Sequence, residues 1–274
     1  MDDLARANDL ERRFADHLST RTQPFVFGVA YLDTEYPERF ISNFLDVHSG
    51  LDRVDAATLL GEADRILGGA GCAHRTVVVR SDELGERIAP TFAANGYRVE
   101  REVISLHRRA PDRPADLVSE ELSFAEARPV VLETYRRDER LSGDVAERFA
   151  DQHGKYERVL GTRFFGCRID GVLAGVCELW MDGNDAMVED VDTLKEYRGR
   201  GVARSVVLRA VQEARAAGAE RVFIFADDDD WPKELYTRLG FDPLGRIWMF
   251  IRAPTEASGP EAGARQTGGS GWTG

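Results

Sequence analysis

Basic residues, cysteine and long apolar runs are all scarce in this sequence of 274 residues. Lys and Arg number 36 against 48 Asp and Glu, a formal net charge of −12. Such a surface repels the phosphates of nucleic acid and of anionic lipid, so neither is an expected partner, and it mildly favours cationic small molecules. The three cysteines, Cys72, Cys167 and Cys177, are far apart and form no C-x-x-C pair. That excludes a disulfide framework and a cysteine zinc site, and it fits reduced thiols and a cytoplasmic location. The five histidines are scattered without ligand spacing, so no metal is expected. No apolar stretch approaches the roughly 18 residues that would cross a bilayer. The opening MDDLARANDLERRF carries early acids and no apolar core, unlike a secretory signal. What is present is an ordinary globular hydrophobic content of 43%.

Periodicity and breakers predict an α/β chain. Helical patterns cover residues 4–17, 54–67, 83–94, 124–135, 143–156, 202–217 and 231–239. Strand patterns cover residues 24–32, 76–79, 97–106, 162–169, 172–181, 186–193, 221–226 and 247–251. Asp170-Gly171 marks a hairpin. Pro129 either kinks the helix at 124–135 or marks its start.

The two halves share a rhythm. HRTVVVRSD, a helix and NGYRVEREVISLHRRAP near the end of the first match ERVFIFADD, a helix and LGFDPLGRIWMFIRAP in the second. We read this as a duplicated fold unit. The expected domains are 1–110 and 117–253, joined by a linker at 111–116 that contains Pro111 and Pro114. The Gly-, Pro- and Ser-rich stretch 254–274 is an expected disordered tail. A tandem chain can complete its own sheet and pocket, so a monomer is expected as readily as a homodimer.

The segment with chemical content is MVEDVDTLKEYRGRGVARSVV, residues 187–207. A strand runs into a loop that opens a helix, and a helix N-terminus presents unpaired N–H groups and partial positive charge. Gly199 and Gly201 permit close backbone approach, and Arg198, Arg200 and Arg204 add full charges. Together they describe a pyrophosphate cradle, which is neither a Walker loop nor a G-x-G-x-x-G fingerprint.

Arg198-Gly199-Arg200-Gly201-Val202-Ala203 resembles the R/Q-x-x-G-x-G/A signature of the GNAT superfamily of N-acetyltransferases. Leu235-Tyr236-Thr237-Arg238-Leu239-Gly240-Phe241 resembles the superfamily's L-Y-x-x-x-G-F segment, at matching spacing. The resemblance covers residues 117–252 and makes the first half a degenerate copy, giving two tandem GNAT-like domains, each a central mixed sheet flanked by helices. It implies acetyl-CoA as cosubstrate; the fold and loop are shared across antibiotics, amino acids, polyamines and protein amines as acceptors, and the acidic charge leans towards a primary amine of a cationic small molecule. It implies that the backbone of Val191, Asp192 and Thr193 bonds the pantetheine arm. It implies that the loop Arg198 to Arg204, with Gly199, Arg200, Gly201, Val202 and Ala203, holds the pyrophosphate, and that Tyr236 protonates the departing thiolate. Asp229 and Pro232 stand where many members carry Asn and Ala, so the usual side-chain contact to CoA is in question at Asp229.

A substrate ammonium, with a pKa near ~10, must lose a proton before it attacks. Glu189 and Asp190 lie on the strand just before the loop, and V-E-D-V is similar to the I-E-D strand of some amino-sugar-acetylating members. Alternation on a strand turns only one of them, or Asp190 together with Asp192, towards the cleft. Glu189 is the favoured base and Asp190 its orienter. Each has a plainer reading: Tyr236 as a core aromatic, Glu189 and Asp190 as solvated strand residues, Asp227 to Asp230 as helix-capping groups, Cys177 as a small core residue. The first half reads DVHSGLDRVDAATLL at the matching place, and its acids Asp46, Asp52 and Asp55 predict no CoA binding there. The alternatives to an N-acetyltransferase are a non-catalytic acyl-CoA sensor or scaffold, and transfer of another acyl group or to another acceptor.

Overall fold

A computed structural model describes residues 2–138 and 141–254. Most of the expected tail, residues 255–274, lies outside the described residues. The chain divides into two compact units, residues 11–102 with 245–254 and residues 2–10 with 103–244.

The first of these units holds the second half of α1 (Asp3–Leu18), then β1 (Arg21–Phe25), β2 (Gly28–Leu32), β3 (Phe44–Val47), α2 (Ala56–Ala63), β4 (Arg75–Val79) and α3 (Asp82–Ala94). Where a single strand was expected over 24–32, β1 and β2 form an antiparallel hairpin with Phe25 opposite Gly28. Its turn, Val26-Phe27, is apolar, so nothing in the composition marks the reversal. Helix α2 starts where Asp55 accepts from Thr58 N, and it passes into a π-helical turn at Asp64–Gly68. The core gathers Leu45, Leu59, Leu67, Val77, Val79, Phe92 and Phe250, all fully buried.

The other unit holds β6 (Ser119–Leu122), α4 (Phe124–Arg136), α5 (Gly143–Leu160), β7 (Arg163–Ile169), β8 (Val172–Asp182), β9 (Asp185–Thr193), α6 (Val202–Ala216), β10 (Arg221–Asp227) and α7 (Pro232–Arg238). Helix α4 opens with a reciprocal capping box between Ser123 and Glu126, so Pro129 lies inside it and not at its start. Beneath α6, Val188, Val206, Val207, Ala210, Ile224 and Phe241 form a fully buried core.

Strands β5 (Arg98–His107) and β11 (Phe241–Arg252) each run from one unit into the other. Hydrogen bonding orders the strands β1-β2-β3-β4-β11-β5-β10-β9-β8-β7-β6 in one mixed sheet. This differs from the expectation of two separate central sheets. The shared rhythm survives as β4-α3-β5 and β10-α7-β11. No helix among the described residues is long and apolar enough to cross a membrane.

Candidate functional site

The site is built around the end of β9. Its parallel ladder with β10 pairs Asp185 to Val188 with Arg221 to Ile224 and stops there. Both strands continue, β9 to Thr193 and β10 to Asp227, so they part beyond Val188. On the other edge the β8 register passes from Val176 opposite Asp192 to Glu178 opposite Glu189. Asp190 and Val191 therefore face the single residue Cys177, and Asp190 has φ 46°. That bulge corrects the expectation of strict alternation from Glu189 to Asp192, because an inserted residue re-aims the side chains around it.

The loop after β9 is a 3-10 turn, Lys195–Tyr197, followed by Arg198 to Gly201 and then α6. Gly199 and Gly201 have φ 72° and 83°, the left-handed region that glycine enters freely. Thr193, Arg198, Gly199, Gly201, Trp231 and Arg238 help line a cavity of about 710 Å³ at this loop. Val202 is buried beneath it and Ala203 half-buried. Arg198 Nε is buried with no hydrogen-bond partner among the described residues. Burial, with Arg137 beside it, pulls the Arg198 guanidinium below its ordinary value. Arg200 is half exposed, over the Tyr197 ring. Arg204 differs from both: it is buried, and Nη1 donates to Asp112 Oδ1 at 2.6 Å and to Arg113 O at 3.0 Å. Asp116 lies against Gly201, where a Cβ would clash with its carboxylate. The linker thus brings two acids, Asp112 and Asp116, to the loop, a placement that no motif in the chain signals.

Tyr236 sits on α7, 2% exposed. Burial first, and the Glu189 carboxylate next, push its phenol well above the ordinary range. Asp192 is buried beside Thr134 of α4 and Arg137 at its C-terminal cap, and burial with Asp190 raises its carboxyl. Arg137 Nη1 donates to Thr193 O at 3.5 Å, so the last turn of α4 stands at the end of β9. Asp229 is exposed, its N–H donating to Asp227 Oδ1 at 2.8 Å. The side chain of the α7 N-cap, Trp231, makes no capping bond, while Asp230 of the Asp227 to Asp230 run accepts from Trp231 N at 2.7 Å. Cys177 is fully buried, donates to Val206 O and has its thiol pushed far up by burial, as a core residue would.

A second group, absent from the sequence reading, lies on the α4–α5 side. His153 of α5 and Glu178 of β8 are 1% and 0% exposed. His153 Nδ1 bonds Glu178 Oε1, and Nε2 bonds the Tyr135 hydroxyl at 3.0 Å. Glu178 Oε2 accepts from Trp180 Nε1 at 2.7 Å. Asp190 Oδ2 stands 3.7 Å from the same Nδ1. One ring atom and two carboxylate oxygens thus lie within 4.8 Å of one another. The spacing would admit a cation, but both imidazole nitrogens are already in hydrogen bonds. The signal available in sequence was weak: His153 and Glu178 lie 25 positions apart on different elements.

Residues 128–241 match the Acetyltransferase (GNAT) family. A Bacillus subtilis (strain 168) protein named as a ribosomal protein bS18-alanine N-acetyltransferase is 30% identical over 77 residues, 28% of this chain and 51% of the relative. The chain thus spans about half the length of that curated relative. A GCN5-related N-acetyltransferase from Kribbella flavida superposes with TM-score 0.63 at 16% identity, over 92% of this chain and 96% of that one. A conserved protein of unknown function from Staphylococcus epidermidis ATCC 12228 gives 0.66 at 13% identity, over 85% and 93%. A tandem GNAT protein from the clavulanic acid biosynthesis pathway gives 0.54 at 18% identity, over 87% and 82%. The chain has the mixed α/β fold of the GNAT-superfamily acetyltransferases.

Proposed function

We propose that this protein transfers an acetyl group from acetyl-CoA to a primary amine of a small molecule by direct attack. The observation that carries the reading is the parting of β9 and β10 beyond Val188, directly above a glycine-arginine loop that opens α6. The residues present fit the donor. Gly199 and Gly201 leave the α6 N-terminus approachable, and the unpartnered Arg198 Nε and exposed Arg200 offer donors to phosphate. Backbone groups of Val191 to Thr193 would bond the pantetheine arm, and Val202 and Ala203 continue the cradle into the helix. Bound acetyl-CoA supplies the electrophilic carbonyl and a thiolate leaving group.

Glu189 takes the ammonium proton, directly or through water, and Asp190 orients the amine. N–H groups of the parted strand stabilise the tetrahedral oxyanion. Tyr236 acts as hydrogen-bond donor to the sulfur. With its phenol raised far above a thiol's pKa of roughly 8.5, it stabilises the thiolate more readily than it surrenders its proton. The acidic balance of the chain leans towards a cationic acceptor.

The test is isothermal titration of acetyl-CoA into the wild type and Arg200→Glu, then thiol release against an amine panel. Arg200 is half exposed, so its reversal leaves the fold intact, whereas Gly201→Asp would strain the left-handed loop as well as reverse its charge. Binding to the wild type alone, with thiol release for some amine, supports the reading. Tight binding without release from any amine points to a sensor. No binding sinks it.

A further inference from the structure

The His153 group has no part in the steps above, yet it is placed directly behind Asp190. Two carboxylates, Glu178 and Asp190, converge on one ring nitrogen in a setting walled by the Tyr135 and Tyr156 rings, 5.8 and 5.2 Å from the imidazole. Like charges so placed force one another to take up a proton unless a cation stands between them. An imidazole protonated on both nitrogens is that cation. Nδ1 bonds Glu178 Oε1 and Nε2 bonds the Tyr135 hydroxyl, contacts that a ring protonated on both nitrogens would make as donor on each side. Trp180 fixes the far oxygen of Glu178, so the pair cannot swing away. Asp190 itself is held in a left-handed conformation that is strained for a non-glycine residue and persists only where its surroundings impose it.

We propose that His153 is a positioning residue for the acceptor: as an imidazolium between Glu178 and Asp190, it keeps the Asp190 carboxylate ionised and aimed at the amine in the cleft. This rests on the acetyl-transfer reading. Titratable groups around His153 include Glu178 on β8, Asp190 with Asp192 nearby on β9, Tyr135 on α4, and Tyr156 on its own helix, with buried Lys155 two positions along.

The experiment measures thiol release against pH for wild type, His153→Asn and Glu178→Gln, using an amine that the wild type accepts, with melting curves and acetyl-CoA titrations for each. Asn keeps a donor near Nδ1 but carries no charge. Without the cation, Asp190 and Glu178 compete for a proton. The acid limb of kcat/KM for the amine then moves up by about one pH unit, and kcat/KM near neutrality falls about tenfold. Glu178→Gln removes the competing carboxylate, so its acid limb moves down. Both variants bind acetyl-CoA as the wild type does. A merely structural role lowers activity without moving the limbs in opposite directions. A folded His153→Asn with the wild-type acid limb, or a shift of both variants in one direction, overturns the proposal. If His153→Asn does not fold, Glu178→Gln decides alone by the direction of its shift. A wild type that binds no acetyl-CoA or releases thiol with no amine removes the acetyl-transfer reading and this inference together.

Discussion

Arg204 of α6 donates from Nη1 to Asp112 Oδ1 at 2.6 Å while its side chain is 4% exposed. An arginine that the loop pattern offers to a phosphate is thereby spent on the segment leading into β6. Arg204→Met, which keeps the buried stem but drops the charge, should lower Tm by about 2–4 °C. It should weaken acetyl-CoA binding far less than Arg200→Glu does. Calorimetry of both variants checks the order; a larger affinity loss at Arg204 would return it to the ligand.

Asp116 stands against Gly201 at the mouth of the α6 N-terminus. Its negative charge opposes the partial positive charge that favours a pyrophosphate. Asp116→Asn should tighten acetyl-CoA about two- to fivefold, an electrostatic gain that shrinks as salt is raised. Titrations at two ionic strengths give the answer.

Tyr236→Phe should lower kcat about 10²-fold, with KM for acetyl-CoA nearly unchanged, because the lost donor acts only as the sulfur departs. Burial raises the phenol, so Tyr236 keeps its proton throughout the working range and contributes no alkaline limb below about pH 10. The linkage sign follows. The stability of the protonated phenol is whole below the unfolded value and falls as pH rises beyond it. Melting curves above about pH 10 should therefore decline less steeply in Tyr236→Phe.

Asp46 of β3 is fully buried, with Oδ1 accepting from Arg80 Nε at 2.5 Å and Oδ2 bonded to His48 Nδ1 at 2.6 Å. Burial pushes its carboxyl up, but Arg80 and His48 outweigh that and hold it below the usual range. Arg80 also pairs with Glu11. Removing one partner strands a buried charge, so Asp46→Ala should cost about 3–5 kcal/mol. Because the folded pKa is depressed, this stability is present above about pH 4 and is lost as pH falls through the folded value. Denaturant melts between about pH 2 and 7 should show a flatter acid decline in the variant.

Much of the site was legible because it is local. A loop of Arg198 to Gly201, a helix start at Val202 and a tyrosine at 236 are contiguous words, and their spacing survives translation into sequence. Periodicity located every α-helix among the described residues, since each buries a regular face, while the 3-10 turns such as Lys195–Tyr197 are too short to show one. Strand β6, SEEL, escaped because two of its four residues are exposed and its pattern is that of a loop. Strand β3 escaped because the aspartate at its centre looks like a turn residue until Arg80 supplies the charge that keeps it buried.

The sequence by itself determined the α/β alternation, the glycines and arginines of the loop, and the acidic balance. Only the tertiary structure decided what these residues face. It turned Arg204 onto Asp112, set Asp116 against Gly201, joined β5 and β11 into one sheet order, and brought His153, Glu178 and Asp190 together from three elements. Those relations depend on long-range pairing and on the bulge at Asp190, where strand alternation fails. Charges far apart in the chain acquire their meaning from burial, and burial is a property of the folded whole.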